Sequence, residues 1–126
     1  MELTMATWNI AGAHTVRSSV SLDYNPEDIF YFAERLREIS PDVICLQETH
    51  INEQRSVAQE IAKSLGEYDC VEQNNSPSHV DPEYRLGNAV LANRKIQSEE
   101  QFVFPYPQFP LSRTDGKQTV RHDKGF

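Results

Sequence analysis

The segment Asp42-Val43-Ile44-Cys45-Leu46-Gln47-Glu48 constrains the fold more than any other part of the sequence. Its middle five residues are typical of a buried strand, and the strand ends at a carboxylate. An ionised carboxylate left alone in an apolar interior costs on the order of tens of kcal/mol by the Born estimate. Glu48 therefore has to reach water, a partner or a cation where the strand emerges, and we predict a cation.

The residues before this strand predict a βαβ unit. Leu3 to Ile10 alternates two largely apolar faces, which indicates a strand covered on both sides, with Asn9 near its C-terminal end. Asn25-Pro26-Glu27-Asp28 has the cap, the proline and the acids of a helix start, and Ser40-Pro41 ends that helix. The two strands are then parallel and end at one edge of the sheet. We expect Asn9 and Glu48 at this shared rim, where open α/β sheets bind ligands.

The sequence beyond this unit predicts one more helix and further strands. Val57, Ile61 and Leu65 recur at helical spacing. Gly66 then provides a stop signal, and Gly87 opens a strand while permitting close approach of another backbone. The predicted elements are a helix over about 53–65, a short strand over 68–72, a polar loop over 73–85, a strand over 87–92, a weak strand over 96–104, and an extended loop of prolines and aromatics over 104–110.

Composition limits the classes of function. The 126 residues predict a single domain spanning 1–126. A net charge of −7 argues against a protein that holds a polyanion by bulk electrostatics, so phosphate chemistry here would need a metal ion. Cys45 and Cys70 have no paired spacing and are expected to be reduced core residues. Since no leader pattern and no apolar run of about 18 residues occurs, we predict a soluble, cytoplasmic chain without a membrane span.

Three short motifs carry the chemistry: Thr7-Trp8-Asn9-Ile10, Val43-Ile44-Cys45-Leu46-Gln47-Glu48 and Gly87-Asn88-Ala89-Val90-Leu91. In this order and at these separations they resemble the N-terminal half of the endonuclease/exonuclease/phosphatase superfamily, the Mg²⁺-dependent phosphoesterases related to DNase I. The resemblance rests on the conjunction of the motifs on strands that share a rim. It implies an α+β fold, a four-layer α/β/β/α sandwich of which this chain supplies about the first half.

The resemblance also implies roles for three residues. In the family, the Asn that ends the first strand helps to hold the scissile phosphate and the metal-bound water, and Asn9 matches it. The Glu of the second motif is a metal ligand, which makes Glu48 and Asn9 the catalytic pair. Asn88 is a candidate for a substrate-side hydrogen bond. The implied cofactor is Mg²⁺, with Mn²⁺ as an alternative, and the implied partner is a phosphate-ester substrate, either nucleic acid or a small phosphorylated molecule.

The chemistry of these residues agrees with such an ion. Mg²⁺ prefers oxygen ligands in octahedral geometry and is usually held by one or two carboxylates, with water and substrate phosphate completing its shell. An Asn beside Glu48 can donate to a phosphate oxygen without adding a second anion. Each residue also has a structural interpretation, Glu48 as a solvated strand end and Asn9 or Asn88 as turn residues that satisfy backbone groups.

Part of the family pattern has no counterpart in this sequence. Relatives carry a later strand ending in Thr-His, a Gly-Asp-x-Asn segment and a terminal Ser-Asp-His. The general base and a second set of metal ligands would lie on these motifs. We therefore expect a partial domain, truncated at its C-terminus. Half of a sandwich leaves one sheet face without its partner, and such an apolar area predicts self-association.

Two other hypotheses fit the sequence. A non-catalytic module or a decayed fragment on the same scaffold would use the rim or the exposed sheet face to bind a partner. An unrelated doubly wound α/β domain would bind a small phosphorylated ligand and would have parallel strands throughout. The four histidines lie in predicted loops without metal-ligand spacing and are expected to be solvated: His14, His50, His79 and His122.

Overall fold

The computed structural model of the protein describes residues 2–14, 26–78 and 81–102. No helix among these residues is long and apolar enough to cross a membrane. In chain order the elements are strand β1 (Met5–Asn9), a 3₁₀ turn (Ala11–Ala13), helix α1 (Pro26–Ile39), strand β2 (Val43–Ile51), helix α2 (Val57–Leu65), strand β3 (Asp69–Pro77) and strand β4 (Arg85–Ala92).

The four strands form one mixed sheet in the order β1-β2-β4-β3. β1 and β2 are parallel, with Asn9 opposite Gln47, and α1 connects them, which confirms the predicted βαβ unit. β4 lies antiparallel to both β2 and β3. These antiparallel pairs exclude the doubly wound alternative, which required parallel strands throughout.

Both helices pack on the same face of the sheet, because each presents an apolar stripe. Phe32 and Leu36 of α1 and Ile61 of α2 are buried there. They join a core cluster with Ile44 and Leu46 of β2, which have no exposed surface. Burial of each such side chain contributes roughly 1.5–3 kcal/mol, so this helix-on-sheet layer holds the fold together.

The opposite side of the sheet, called the open face below, carries no helix within the described ranges. Met5 of β1 is 62% exposed and Val90 of β4 is 38% exposed. Trp8 lies on the helix side instead, where its ring meets that of Phe32 at a centroid distance of 4.7 Å. The prediction that β1 is covered on both faces is therefore wrong, since Met5 and its alternate neighbours along the strand are exposed. One helical layer on one sheet corresponds to the first half of the predicted four-layer sandwich.

Several element boundaries differ from the prediction. α2 begins at Val57 rather than near residue 53, because the side chain of Asn52 holds a turn and Ser56 caps the helix. β3 continues to Pro77 through residues predicted as a loop, since its backbone pairs with β4 whatever the polarity of its side chains. Residues 96–102 form no strand, and 103–110 lie outside the described residues.

Cys45 and Cys70 are free thiols and half-buried, rather than fully buried in the core. Burial raises the pKa of the Cys70 thiol to about 12, and the charges of Glu72 and Asp69 act in the same direction. Cys70 is therefore protonated at neutral pH and is a poor nucleophile, so it belongs to the packing of the sheet rather than to a reactive site.

Candidate active site at the sheet rim

Asn9 is the last residue of β1, and its register partner on β2 is Gln47. The side chain is exposed, and its Oδ1 accepts the backbone N–H of Ala11 at 3.1 Å. The backbone N–H of Ile10 also donates to the Gln47 carbonyl at 3.0 Å. Asn9 thus has the turn-forming role that Asn commonly takes, and its carboxamide is fixed at the edge of the sheet.

Glu48 lies on a β-bulge rather than at the end of its strand. The β2–β4 register shifts between Gln47 and Thr49, and Glu48 has a φ of 55°, while β2 continues to Ile51. This corrects the prediction that the strand ends at Gln47. A left-handed conformation costs a non-glycine residue roughly 1–2 kcal/mol, and bulges re-aim side chains next to functional sites. The strained backbone at Glu48 is therefore an observation that favours a function for this residue.

A second bulge lies across the sheet on β3, where the β3–β4 register shifts between Asn74 and Ser76. The two bulges flank Gly87 of β4 from both sides. A Cβ atom built on Gly87 would lie 2.0 Å from the carbonyl oxygen of Gln73. The predicted close backbone approach at Gly87 is thus confirmed, and it lets β4 follow both bends.

A row of four carboxamides crosses the sheet next to the Glu48 bulge. The register aligns Asn9 with Gln47, Gln47 with Asn88, and Asn88 with Gln73. Gln47 Nε2 donates to Thr7 Oγ1 at 3.1 Å and to the Cys45 carbonyl at 3.0 Å. Asn9 and Asn88 were predicted as site residues, whereas Gln47 and Gln73 were not. In the sequence, Gln47 and Gln73 follow apolar residues along their strands. This pattern identified them as members of the row only once the strand register was known.

Together with Glu48, this amide row defines the rim. A groove of about 330 Å³ runs along the open face beside the row, lined by Gln47, Asn88 and Gln73 and by the segment 99–101. Gln73 Nε2 donates to the carbonyl of Phe102 at 3.4 Å, and Gln101 Nε2 donates to that of Glu72 at 3.3 Å. The segment after β4 therefore returns to the β3 side of the sheet and forms one wall of the groove.

The donor set of the rim fits part of a Mg²⁺ shell. Glu48 supplies a carboxylate, and the amide row supplies neutral oxygens, which are the hard donors that Mg²⁺ accepts. The described residues hold no group of three His, Cys, Asp or Glu side chains suited to a metal ion. A single carboxylate such as that of Glu48 could supply one ligand of such an ion.

The histidine prediction is wrong for His50. Its side chain has no exposed surface, and its Nε2 lies 2.9 Å from Ser78 Oγ. His14 is half-buried, with its ring 5.7 Å from that of His50. His79 and His122 lie outside the described residues. β2 passes through the bulge at Glu48 and runs to Ile51, four residues further than predicted, so the position that looked like a loop is inside the sheet.

The sequence matches the endonuclease/exonuclease/phosphatase family over residues 6–122, a range that includes all three motifs. The chain belongs to the endonuclease/exonuclease/phosphatase family. Membership places this domain in a superfamily of the phosphoesterase and nuclease type. No curated protein matches the sequence significantly.

Two solved structures of endonuclease/exonuclease/phosphatase proteins share the architecture. That from Leptotrichia buccalis gives a TM-score of 0.63 at 20% identity and covers 81% of this chain and 42% of its own. That from Beutenbergia cavernae gives 0.60 at 22% identity, with coverages of 83% and 29%. At such identities the likeness establishes the fold alone. The chain spans less than half the length of either relative.

Proposed function

We propose that this chain forms the first part of a Mg²⁺-dependent phosphoesterase, of the phosphodiesterase or nuclease type. The observation that carries the proposal is the strained bulge at Glu48, directly after the register partner of Asn9. Family membership supports the reaction class. Mn²⁺ is the alternative ion because it accepts the same oxygen ligands.

Each rim residue has a proposed role. Glu48 holds the ion, which when bound polarises a phosphoryl group and stabilises the charge that develops on it. Asn9 orients the scissile phosphate with its amide N–H, while its Oδ1 remains on the turn. Asn88, further along the same row, donates to the substrate. A neutral amide suits this task because it adds no charge that repels phosphate.

The net charge of the chain and its partial match to longer relatives bear on the substrate and on the extent of the domain. With a net charge of −7, the chain gains little phosphate affinity from bulk electrostatics, so the ion and the amide row carry recognition. We propose a substrate that is a phosphate ester, either of nucleic acid or of a small molecule, handled in the cytoplasm. We also propose that residues 1–126 are one part of a larger domain, since the match covers only 42% and 29% of the two structural relatives.

The test uses the native gene product, bis(p-nitrophenyl) phosphate and Mg²⁺. Glu48→Gln and Asn9→Ala are each expected to lower kcat/KM by about 100-fold or more, because each removes a group that acts on the reacting phosphate. Glu67→Gln is the matched control. Glu67 is exposed and lies just before Asp69, at the opposite end of the sheet from the rim, so its loss should leave turnover unchanged.

Turnover that stays within about tenfold, equivalent to about 1.4 kcal/mol, in both rim variants would refute the assigned roles. The native gene product hydrolysing no phosphate ester with Mg²⁺ or Mn²⁺ would favour the non-catalytic module instead.

A further inference from the structure

His50 lies two residues after Glu48, on the same strand and inside the same bend. Because the bulge adds one residue to β2, the register resumes with Thr49 opposite Gly87 and His50 opposite Leu86. His50 is fully buried at this point. A fully buried histidine is uncommon and needs partners that justify its position, and two segments supply them.

The first partner segment is the connection between β3 and β4. Ser78 Oγ lies 2.9 Å from His50 Nε2 and also accepts the backbone N–H of Asp81 at 3.1 Å. The Ser78 N–H donates to the Tyr84 carbonyl at 2.9 Å, and the Tyr84 ring stacks on the imidazole at 5.3 Å with an interplanar angle of 16°. His50 thereby fastens β2 to the turn that leads into Asn88.

The second partner segment is the turn that follows Asn9. A Cβ atom on Gly12 would lie 2.5 Å from both Cε1 and Nδ1 of His50, so the imidazole occupies the space a side chain would need. Gly12 has a φ of 71°, and the turn that contains it is held by Asn9 Oδ1. The imidazole therefore packs directly against the backbone that orients Asn9.

We infer that His50 is a positioning residue, which sets the separation of Asn9, Glu48 and Asn88 by filling the space between their three backbone segments. The inference rests on the proposed function, since it concerns the same rim. His50 is buried, so it acts by packing against the backbone segments that carry Asn9, Glu48 and Asn88. A misplacement of about 1 Å at a reacting group lowers turnover by about 100-fold, so a modest repacking of this cluster suffices to be measured.

The test compares His50→Phe and Ser78→Ala in the native gene product. His50→Phe keeps a ring against Gly12 and Tyr84 but loses the hydrogen bond to Ser78. Ser78→Ala removes the hydroxyl partner and leaves the imidazole in place. Both variants are expected to lower kcat by at least about tenfold with KM changed less than about threefold, because the groups that bind substrate remain. Ser64→Ala, on the last turn of α2, is the control and should match the wild type.

A structural readout accompanies the kinetics. In ¹⁵N-labelled protein, Ser78→Ala is expected to shift the resonances of the Asn9 side-chain amide and of the Gly12 and Glu48 backbone amides, whereas Ser64→Ala leaves them unchanged. Rescue is expected from His50→Gln, which can hydrogen-bond Ser78 and should retain more activity than His50→Phe.

The outcomes separate the two claims. If Glu48→Gln abolishes turnover while folded His50→Phe and Ser78→Ala stay within about threefold of wild type, the positioning role is overturned and the proposed function stands. If Glu48→Gln leaves turnover intact, both are overturned. Unchanged resonances at Asn9 and Glu48 in Ser78→Ala would also overturn the positioning role, and this variant serves alone if His50→Phe does not fold.

Discussion

Gly87 lies where the backbone of β3 leaves no room for a side chain. The Gln73 carbonyl oxygen would be 2.0 Å from a Cβ atom there, well inside any van der Waals contact. The obstacle is backbone rather than a flexible side chain, so it cannot be relieved by a rotamer change. The bends of β2 and β3 on either side of β4 depend on this one residue being glycine.

We predict that Gly87→Ala destabilises the protein by about 1–3 kcal/mol or more, because the added methyl group forces the β3–β4 ladder apart. Urea unfolding followed by circular dichroism measures the change. Val90→Ala is the control on the same strand, since Val90 is partly exposed and the substitution creates no clash. Equal stability of Gly87→Ala and the wild type would mean that the close approach does not exist.

At the residue scale, the sequence predicted that β1 and β2 are parallel neighbours, which places Asn9 opposite Gln47, but it did not predict the bulge at Glu48. The βαβ pattern requires two strand ends at one edge, and this follows from topology alone. The bulge at Glu48 is a backbone feature set by pairing with β4, which hydrophobic alternation in β2 does not encode. For the same reason His50 was assigned to a loop, although a one-residue insertion returns it to the interior.

The residue that caps α2, Ser56, also hydrogen-bonds a half-buried carboxyl group on β3, that of Glu72. Ser56 caps the helix by accepting the Gln59 N–H, and its hydroxyl donates to Glu72 Oε2 on β3 at 2.8 Å. Desolvation beneath the helix raises the pKa of the Glu72 carboxyl above its ordinary value of 4.5, and the bond from Ser56 opposes this shift only in part. Ionising the Glu72 carboxyl in the folded protein therefore costs stability.

We predict that Glu72→Gln stabilises the protein at pH 7. Since the folded-state pKa is raised, the penalty is absent below pH 4.5 and grows as pH rises through the interval between the unfolded and folded values. The variant should thus gain stability at pH 7 and lose that advantage near pH 4, while keeping an acceptor for Ser56. Urea titrations at both values measure it, with exposed Glu67→Gln as control. A gain that is equal at pH 4 and pH 7 would contradict the electrostatic cause.

The elements that the sequence predicted well are those with an apolar stripe or a buried run: α1, the first part of β2, and β4. β3 was cut short because Gln73, Asn74 and the polar residues that follow them look like a loop. In the sheet these residues belong to an edge strand, where the backbone pairs on one side and polar side chains meet solvent or the groove. Propensity is a weak guide at such positions, because pairing with a neighbouring strand overrides it.

At the scale of the whole molecule, the main feature is the open face, the side of the sheet that carries no helix among the described residues. This side exposes Met5 and Val90. Contiguous exposed apolar surface drives association. The helix layer on the other side, by contrast, is packed against the core through α1 and α2.

We predict that the 126-residue chain self-associates through the open face. Light scattering coupled to size exclusion should give a mass above 14.5 kDa that rises with concentration. Val90→Lys should shift the protein toward monomer, because it puts a charge in the middle of that face. Phe30→Lys removes a side chain that is 60% exposed on α1, on the opposite layer, and serves as control. A monodisperse monomer at working concentration would contradict the prediction.

The position of β4 also dictates the order in which the sheet can be completed. Among the described residues it is the last strand in sequence, yet it lies in the interior of the sheet, between β2 and β3. β2 and β3 are joined into one sheet only when β4, residues 85–92, pairs with both of them. The pairing of β4 with β2 brings together residues that are distant in sequence, and such pairings form slowly. The amide row is therefore completed only when β4 inserts, and the edges of β2 and β3 that face β4 are unpaired until that step occurs.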